Sequence, residues 1–192
     1  MPVLTPFLRL LVLALTFAVL LGCALQPQIL PVTPQMDLSG AAARGAGRTI
    51  AISVVDGRGN NVVGYRDPAD TNSVITTAPE LTRVVQREVE QAYTRLGFSV
   101  VPQGETADIA LTVKIAELGY TRQAGRVVNN INTGATIEAT SEMNGKSVTG
   151  TYKDAQGKEM VWKPNLADNA EVMNRHLGAA LSRMAADPRL TE

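Results

Sequence analysis

Residues 135–152, ATIEATSEMNGKSVTGTY, contain the feature that decides the fold, a β-hairpin. Small or apolar residues alternate with polar ones on both sides of Asn144-Gly145. This dipeptide strongly favours a two-residue hairpin turn, because both of its residues adopt positive φ readily. We therefore predict one strand that contains Ile137 and a return strand that contains Val148 and Tyr152.

A third strand is predicted upstream of the hairpin. Alternate residues of segment 109–115 are apolar, and the alternation changes phase before Leu118 and Tyr120. A β-bulge near Ala116 or Glu117 accounts for this change, because a bulge inserts one extra residue into a strand.

Polar, turn-forming segments are predicted to interrupt these strands. Residues 125–134, GRVVNNINTG, predict a loop, and residues 154–157 predict a second tight turn. Residues 159–162 then form a last short strand.

Two segments have the periodicity of amphipathic helices. The first covers about residues 78–96, where Thr77 and Glu80 fit a capping box and Gly97 favours a left-handed C-cap. The second covers about residues 168–186, starts with a similar capping pattern and ends before an Asp-Pro pair.

The order of elements indicates the fold class. Strands at residues 49–55 and 98–101 flank the first helix, and the hairpins and second helix follow. Hairpins combined with two amphipathic helices indicate an α+β fold. We predict an antiparallel sheet of about five or six strands with both helices packed on one face, formed by residues 48–192 as a single periplasmic domain.

The N-terminus has the features of a bacterial lipoprotein signal. Arg9 precedes the apolar run of residues 10–21, which is shorter than the roughly 20 residues of a membrane-spanning helix. A short apolar stretch after a positive charge is typical of a secretory signal, so residues 1–22 are predicted to be cleaved.

The run ends in Leu20, Leu21, Gly22 and Cys23, which resemble a lipobox. This resemblance implies that diacylglycerol and an N-acyl chain are attached covalently to Cys23. No cofactor is expected. The alternative is a buried core cysteine at the end of an apolar helix. Ala24 follows the cysteine where an aspartate would retain the lipoprotein at the inner membrane, which favours anchoring to the periplasmic face of the outer membrane.

Residues 23–47 are predicted to form a flexible tether after the lipidated cysteine. They contain three prolines followed by small residues and glycines. An alternative is that this segment docks on the domain as an edge strand, because it contains the apolar residues Ile29, Leu30 and Val32.

The composition excludes several classes of site. Eighteen Lys and Arg residues balance eighteen Asp and Glu residues, which leaves no broad basic field for nucleic acid. The single cysteine excludes an intramolecular disulfide and a CxxC site, and the single histidine excludes a histidine-cluster metal site.

No catalytic or metal-ligating set is recognisable. His176 lies at the edge of the apolar stripe of the second helix, which favours a packing or surface role. Glycines in segment 57–64 fit no phosphate-loop spacing. The carboxylate pairs Glu88/Glu90 and Glu138/Glu142 lie on polar faces and are interpreted as solvated surface.

Three short motifs resemble the YajG-type family of bacterial lipoproteins. They are Gly47-Arg48 at the start of a strand, Asp56-x-Arg58, and Val63-Gly64-x-Arg66. The family is functionally uncharacterised, so the resemblance implies an envelope location without a reaction.

The loop after the first strand is the candidate partner-binding loop, with Asp56, Arg58, Tyr65 and Arg66 as its residues. Arginine and tyrosine are enriched at binding hot spots. The alternative is structural: Asp56 caps the turn and pairs with Arg58, while Gly64 provides a positive φ or a bulge.

These features together predict a non-catalytic accessory lipoprotein that binds another protein of the cell envelope. The alternatives are a binding module for a small glycan, muropeptide or lipid, and a homo-oligomer that forms a ring in an envelope machine. No nucleic-acid partner is expected.

Overall fold

A computed structural model of the protein describes residues 26–125, 127–161 and 164–192. The predictions for residues 1–25, which include the lipobox and Cys23, lie outside the described residues. In chain order, the strands and helices are β1 (Gln28–Leu30), β2 (Thr49–Asp56), β3 (Val62–Tyr65), β4 (Val74–Thr77), α1 (Leu81–Arg95), β5 (Ser99–Val101), β6 (Ile109–Ala124), β7 (Asn129–Met143), β8 (Lys146–Met160) and α2 (Leu166–Ala186), with short 3₁₀ turns at Thr71–Ser73 and Pro188–Leu190.

The hairpin predicted at Asn144-Gly145 joins β7 to β8. Both turn residues have positive φ, 52° and 72°, as a two-residue turn of this kind requires. The two strands pair without interruption from Met143 opposite Lys146 to Asn129 opposite Met160.

This continuous pairing corrects two predictions. Residues 129–134 belong to β7 rather than to a loop, and residues 154–157 lie inside β8 rather than in a turn. Asn129 to Gly134 are hydrogen-bonded to β6 on one side and to β8 on the other. Ladders on both sides override the weak strand preference of Asn and Gly.

The predicted β-bulge is confirmed. The register between β6 and β7 shifts between Ile115 and Glu117. The shift turns Leu118 and Tyr120 to the same buried face as the earlier odd-numbered residues of β6.

β6 is the central strand of an eight-stranded mixed sheet. Along one side it pairs antiparallel with β7. Along the other side its first half pairs parallel with β2, which also pairs parallel with β5. Its last part pairs parallel with β3 through Tyr120 and Gly64, and β4 and β1 continue the sheet from there.

The predicted sheet therefore had too few strands, and it lacked the parallel pairs. The predicted antiparallel pairing holds for the β6–β7–β8 meander and for β3 with β4, and the other pairs are parallel. β1, β3, β4 and β5 have three or four residues each, too few to show an alternating pattern. β2 and β6 run parallel because α1 and β5 return the chain to the same end of the sheet before β6 begins.

Both helices pack on one face of the sheet. Ile50, Leu111 and Val113 point to this face and are almost completely buried. α1 packs over β2 and β5, and α2 packs over β7 and β8. Among the described residues, no helix is both long enough and apolar enough to span a membrane.

The helix starts differ from the predictions. α1 begins after Glu80 without a side-chain cap, so the predicted capping box of Thr77 and Glu80 is absent. α2 begins earlier than predicted, where Asn165 and Asp168 form a reciprocal capping box. The predicted C-cap of α1 is confirmed, since Gly97 has a φ of 89°.

The segment predicted as a flexible tether is docked from Gln28 onward. β1 pairs parallel with β4, and Leu30, Val32 and Met36 are buried. Thr33 N donates to Asn174 Oδ1 at 2.8 Å on α2, and Met36 N donates to Glu88 Oε1 at 2.9 Å on α1. This arm therefore forms the edge strand that the sequence left open and then passes between the two helices.

Candidate functional site

Asp56 and Arg58 of the predicted partner-binding loop pair with each other. Arg58 Nε donates to Asp56 Oδ1 at 2.8 Å, and Arg58 Nη2 donates to Asp56 Oδ2 at 2.7 Å. Nη2 also donates to Thr77 Oγ1 at 3.0 Å, and the Arg58 side chain is only 5% exposed. The hydrogen bond from Arg58 is the largest cause that lowers the pKa of Asp56 below its ordinary value. This pair is held internally and offers little free charge to a partner.

Tyr65 and Arg66 lie at the other end of β3 from this pair. Tyr65 is 38% exposed. The four residues of β3 separate the two groups by about 13 Å at about 3.3 Å per residue. The four predicted loop residues therefore do not form one continuous surface.

Gly64 is required by a close backbone approach. A Cβ at this position would lie 2.0 Å from the carbonyl oxygen of Tyr120 on β6. The register of β3 also shifts between Val62 and Gly64. Of the two structural roles predicted for Gly64, the structure therefore shows the bulge and not a positive φ.

A cleft of about 480 Å³ lies between the first half of α2 and the end of the meander where β6 and β8 finish and β7 begins. This volume lies in the range of small-molecule sites. The cleft has an apolar part, formed chiefly by Tyr120, Ile131, Met160 and Val172. Its polar part includes two cations and two anions, Lys158, Arg175, Asp168 and Glu171.

Tyr120 is the most unusual residue of the cleft. Its side chain is buried, and its hydroxyl has no hydrogen-bond partner among the described residues. Burial raises the pKa of the Tyr120 hydroxyl, an effect that the cations Arg122 and Arg66 oppose. A buried hydroxyl without a partner costs free energy, so it is a candidate contact for a ligand.

His176 connects α2 to the sheet beside the cleft. Its Nδ1 lies 2.5 Å from Asp154 Oδ2, and its Nε2 lies 3.0 Å from Thr133 Oγ1. Arg183 Nη2 donates to the second Asp154 oxygen at 2.6 Å. Burial would raise the pKa of Asp154, but the hydrogen bonds from His176 and Arg183 outweigh it and lower that pKa.

Hydroxyl, imidazole and carboxylate stand here in the order used in acyl transfer. Thr133, however, lies inside β7, whose backbone hydrogen-bonds to strands on both sides. The backbone amides around Thr133 are therefore engaged and do not form an oxyanion hole beside its hydroxyl. The arrangement pins α2 to β7 and β8, which agrees with the packing role inferred for His176. The described residues contain no group of three or more His, Cys, Asp or Glu suited to a metal ion.

The second candidate site is the free edge of β8. β8 has 15 residues, about 50 Å of strand, and within the described residues its only strand partner is β7. In a two-residue hairpin the residues that flank the turn form a hydrogen-bonded pair, and such pairs alternate along the ladder. The backbone groups of residues 147, 149, 151, 153, 155, 157 and 159 therefore point outward. Arg183 donates to the Lys153 carbonyl oxygen, which is consistent with this phase.

The strands that line the cleft were predicted as a loop at 125–134 and a turn at 154–157, so the cleft was not predicted from the sequence. The alternation of Ile131, Thr133, Ala135 and Ile137 was the available signal, since these odd-numbered residues continue one face of β7.

Comparison with known proteins finds lipoproteins without an assigned role. Residues 34–192 match a family model described as "Uncharacterized lipoprotein". The uncharacterized lipoprotein YajG of Escherichia coli K12 is 25% identical over 175 residues, which is 90% of this chain and 89% of that protein. YajG of E. coli O6:H1 strain CFT073 matches to the same extent.

Comparison with solved structures supports the fold. The crystal structure of protein XCC0632 from Xanthomonas campestris aligns with a TM-score of 0.52 and 11% identity. The alignment covers 85% of this chain and 93% of that chain.

Proposed function

The chain belongs to the lipoprotein family whose model matches residues 34–192, and from this membership we propose an accessory role in the bacterial cell envelope. The YajG-type resemblance read from the sequence is confirmed. The protein is held on the periplasmic face of the outer membrane by the diacylglycerol and N-acyl chain on Cys23. It catalyses no reaction and binds another envelope protein.

The free edge of β8 is the observation that carries this proposal. Its outward N–H and C=O groups offer a template on which an extended segment of a partner adds a further strand. A free edge of this length normally carries charged residues that protect it against pairing. The charged residues of β8 are Lys146, Lys153, Asp154, Lys158 and Glu159, and the stretch 147–152 has none.

The proposal is tested by removing one outward donor. In Thr151→Pro the lost N–H faces solvent, so the pairing of β8 with β7 keeps its hydrogen bonds. Thr151→Ala is the matched control, because it loses the same side chain and keeps the donor. We expect that crosslinking in intact cells captures a partner with the wild type and with Thr151→Ala, but not with Thr151→Pro.

Three outcomes decide the experiment. Capture of the partner by Thr151→Pro would exclude the β8 edge as the interface. Equal loss in both variants would assign recognition to the Thr151 side chain instead of the backbone. Crosslinks only between copies of this chain would indicate a homo-oligomer, and Cys23→Ser serves throughout as the mislocalised control.

The cleft supports a second candidate function, the binding of a small ligand such as a glycan, muropeptide or lipid. Tyr120 and Ile131 would contact its apolar part, and the cleft's two cations and two anions, Lys158, Arg175, Asp168 and Glu171, would bind its polar groups. Tyr120→Phe tests this, because it removes the unpartnered hydroxyl and keeps the ring. A ligand that raises the melting temperature of the wild type more than that of Tyr120→Phe supports the cleft, and no shift with any member of such a panel excludes it.

A further inference from the structure

The described chain begins at the end of the sheet where β6 ends. β3 runs parallel to β6, β4 runs antiparallel to β3, and β1 runs parallel to β4. β1 therefore starts at Gln28 on the side where β6 finishes at Ala124. A hydrogen bond from Asn169 Nδ2 to Gln28 Oε1, at 2.7 Å, independently places Gln28 beside the first turn of α2.

Exposed apolar side chains gather at this same end. Val127 is 78% exposed and Val161 is 65% exposed, and Val128 and Leu166 are exposed as well. These four residues, here called the apolar tip, lie in the β6–β7 connection, after the end of β8 and at the start of α2. Asn129 pairs with Met160, which brings the segments that carry Val128 and Val161 next to each other.

Exposed valines in neighbouring segments indicate a contact surface, because single apolar residues are common on surfaces but local clusters are not. The length of chain before Gln28 indicates which surface that is. Gln28 is the fifth residue after Cys23, and five extended residue steps span at most about 18 Å. A lipid anchor on Cys23 therefore keeps the membrane within that distance of Gln28.

We propose that the apolar tip contacts the lipid surface that carries the anchor, and so fixes the orientation of the domain on the membrane. The inference rests on the proposed lipidation of Cys23. A few valines bind a bilayer weakly by themselves, and the acyl chains hold them at a high effective concentration next to it. The free edge of β8 would then extend away from the membrane, since β8 starts at the far end of the sheet from the tip.

The test uses two labelled positions on the full-length lipidated protein. Acylation consumes the thiol of Cys23, so a single introduced cysteine is the only site for a polarity-sensitive fluorophore. Val127→Cys labels the tip, and Ser147→Cys labels the exposed opposite end of β8 as the matched control. Each protein is reconstituted in vesicles of phosphatidylethanolamine and phosphatidylglycerol that contain spin-labelled quencher lipids.

We expect the label at position 127 to be quenched several-fold more than the label at position 147, with a blue-shifted emission. Equal quenching at the two positions, or none at position 127, would overturn the proposal. Flotation of the same vesicles separates this result from failure of the anchor. Protein that floats without quenching at position 127 refutes the tip contact alone, whereas lipidated protein that does not float refutes the anchoring on which the inference rests.

Discussion

Asn169 Nδ2 donates to Gln28 Oε1 at 2.7 Å, and both side chains are buried. The bond joins the first turn of α2 to the edge strand β1, so it determines where the N-terminal arm leaves the domain. The proposed anchor lies five residues before Gln28, so the bond also sets the point of the domain from which the proposed anchor segment extends.

We predict that Asn169→Leu releases β1. The substitution keeps the size of the side chain, removes the donor and leaves the buried oxygen of Gln28 without a partner, at a cost of about 1–3 kcal/mol. Hydrogen exchange at Ala78, whose N–H donates to the carbonyl oxygen of Leu30, should become faster. Asn174→Ala is the control because it contacts only the later part of the arm, and equal acceleration in both variants would show that the arm opens as one unit.

The carboxylate of Asp154 is predicted to stabilise the fold more than its exposed partner does. Asp154→Asn leaves the buried His176 ring with a weaker partner and should lower the free energy of unfolding by about 1–3 kcal/mol. Arg183→Gln removes a half-exposed cation and should cost less than about 1 kcal/mol. Urea unfolding at neutral pH measures both changes, and a larger loss from Arg183→Gln would contradict the prediction.

Asp187 is predicted to make stability depend on pH below 4. The hydrogen bond from Arg189, aided by one from the Tyr152 hydroxyl, lowers the pKa of Asp187 to about 2. An unfolded aspartate has a pKa of about 3.9. The stabilisation is therefore complete above about pH 4 and is lost as the pH falls towards 2. In urea unfolding, the difference between the wild type and Asp187→Asn should shrink over this interval, and a constant difference would exclude this linkage.

The sequence predicted best those features that a few neighbouring residues determine. Asn144-Gly145 identified the hairpin because its turn needs two residues with positive φ, and the phase change before Leu118 identified the bulge. The strand at 129–134 was missed because its polar residues become strand only through ladders to β6 and β8, which are distant in sequence or unrecognised. Parallel pairing of β2 with β6 depends on the whole chain path and has no local signal.

The candidate sites follow the same rule. The pairing of Asp56 with Arg58 was available as an alternative from sequence, since the two residues are two positions apart. The cleft around Tyr120 lies between α2 and the meander, and the contact of Asp154 with His176 joins the two. No spacing in the sequence indicates such long-range relationships.

Arg58 and Tyr65 are predicted to act differently although the sequence placed them in one loop. Arg58→Ala removes a buried guanidinium from Asp56 and Thr77 and should lower the free energy of unfolding by about 1–3 kcal/mol. Tyr65→Ala removes an exposed ring and should change stability by less than about 0.5 kcal/mol. Thermal unfolding compares the two, and if Arg58→Ala is as stable as Tyr65→Ala, the structural role of Arg58 is wrong.

Gly178 is predicted to let the N-terminal arm pack closely against α2. Two opposing effects decide the result of Gly178→Ala. Alanine is the better helix former by about 1 kcal/mol, which alone would stabilise α2. A Cβ at position 178, however, would lie 2.3 Å from the carbonyl oxygen of Gln35, a backbone atom that yields only if the arm moves. We expect the steric effect to win, with residues 31–37 becoming sensitive to limited proteolysis while α2 stays helical by circular dichroism. Ala179→Ser, one position along the helix, is the control, and an arm that stays protected in Gly178→Ala would show that the contact adjusts without undocking.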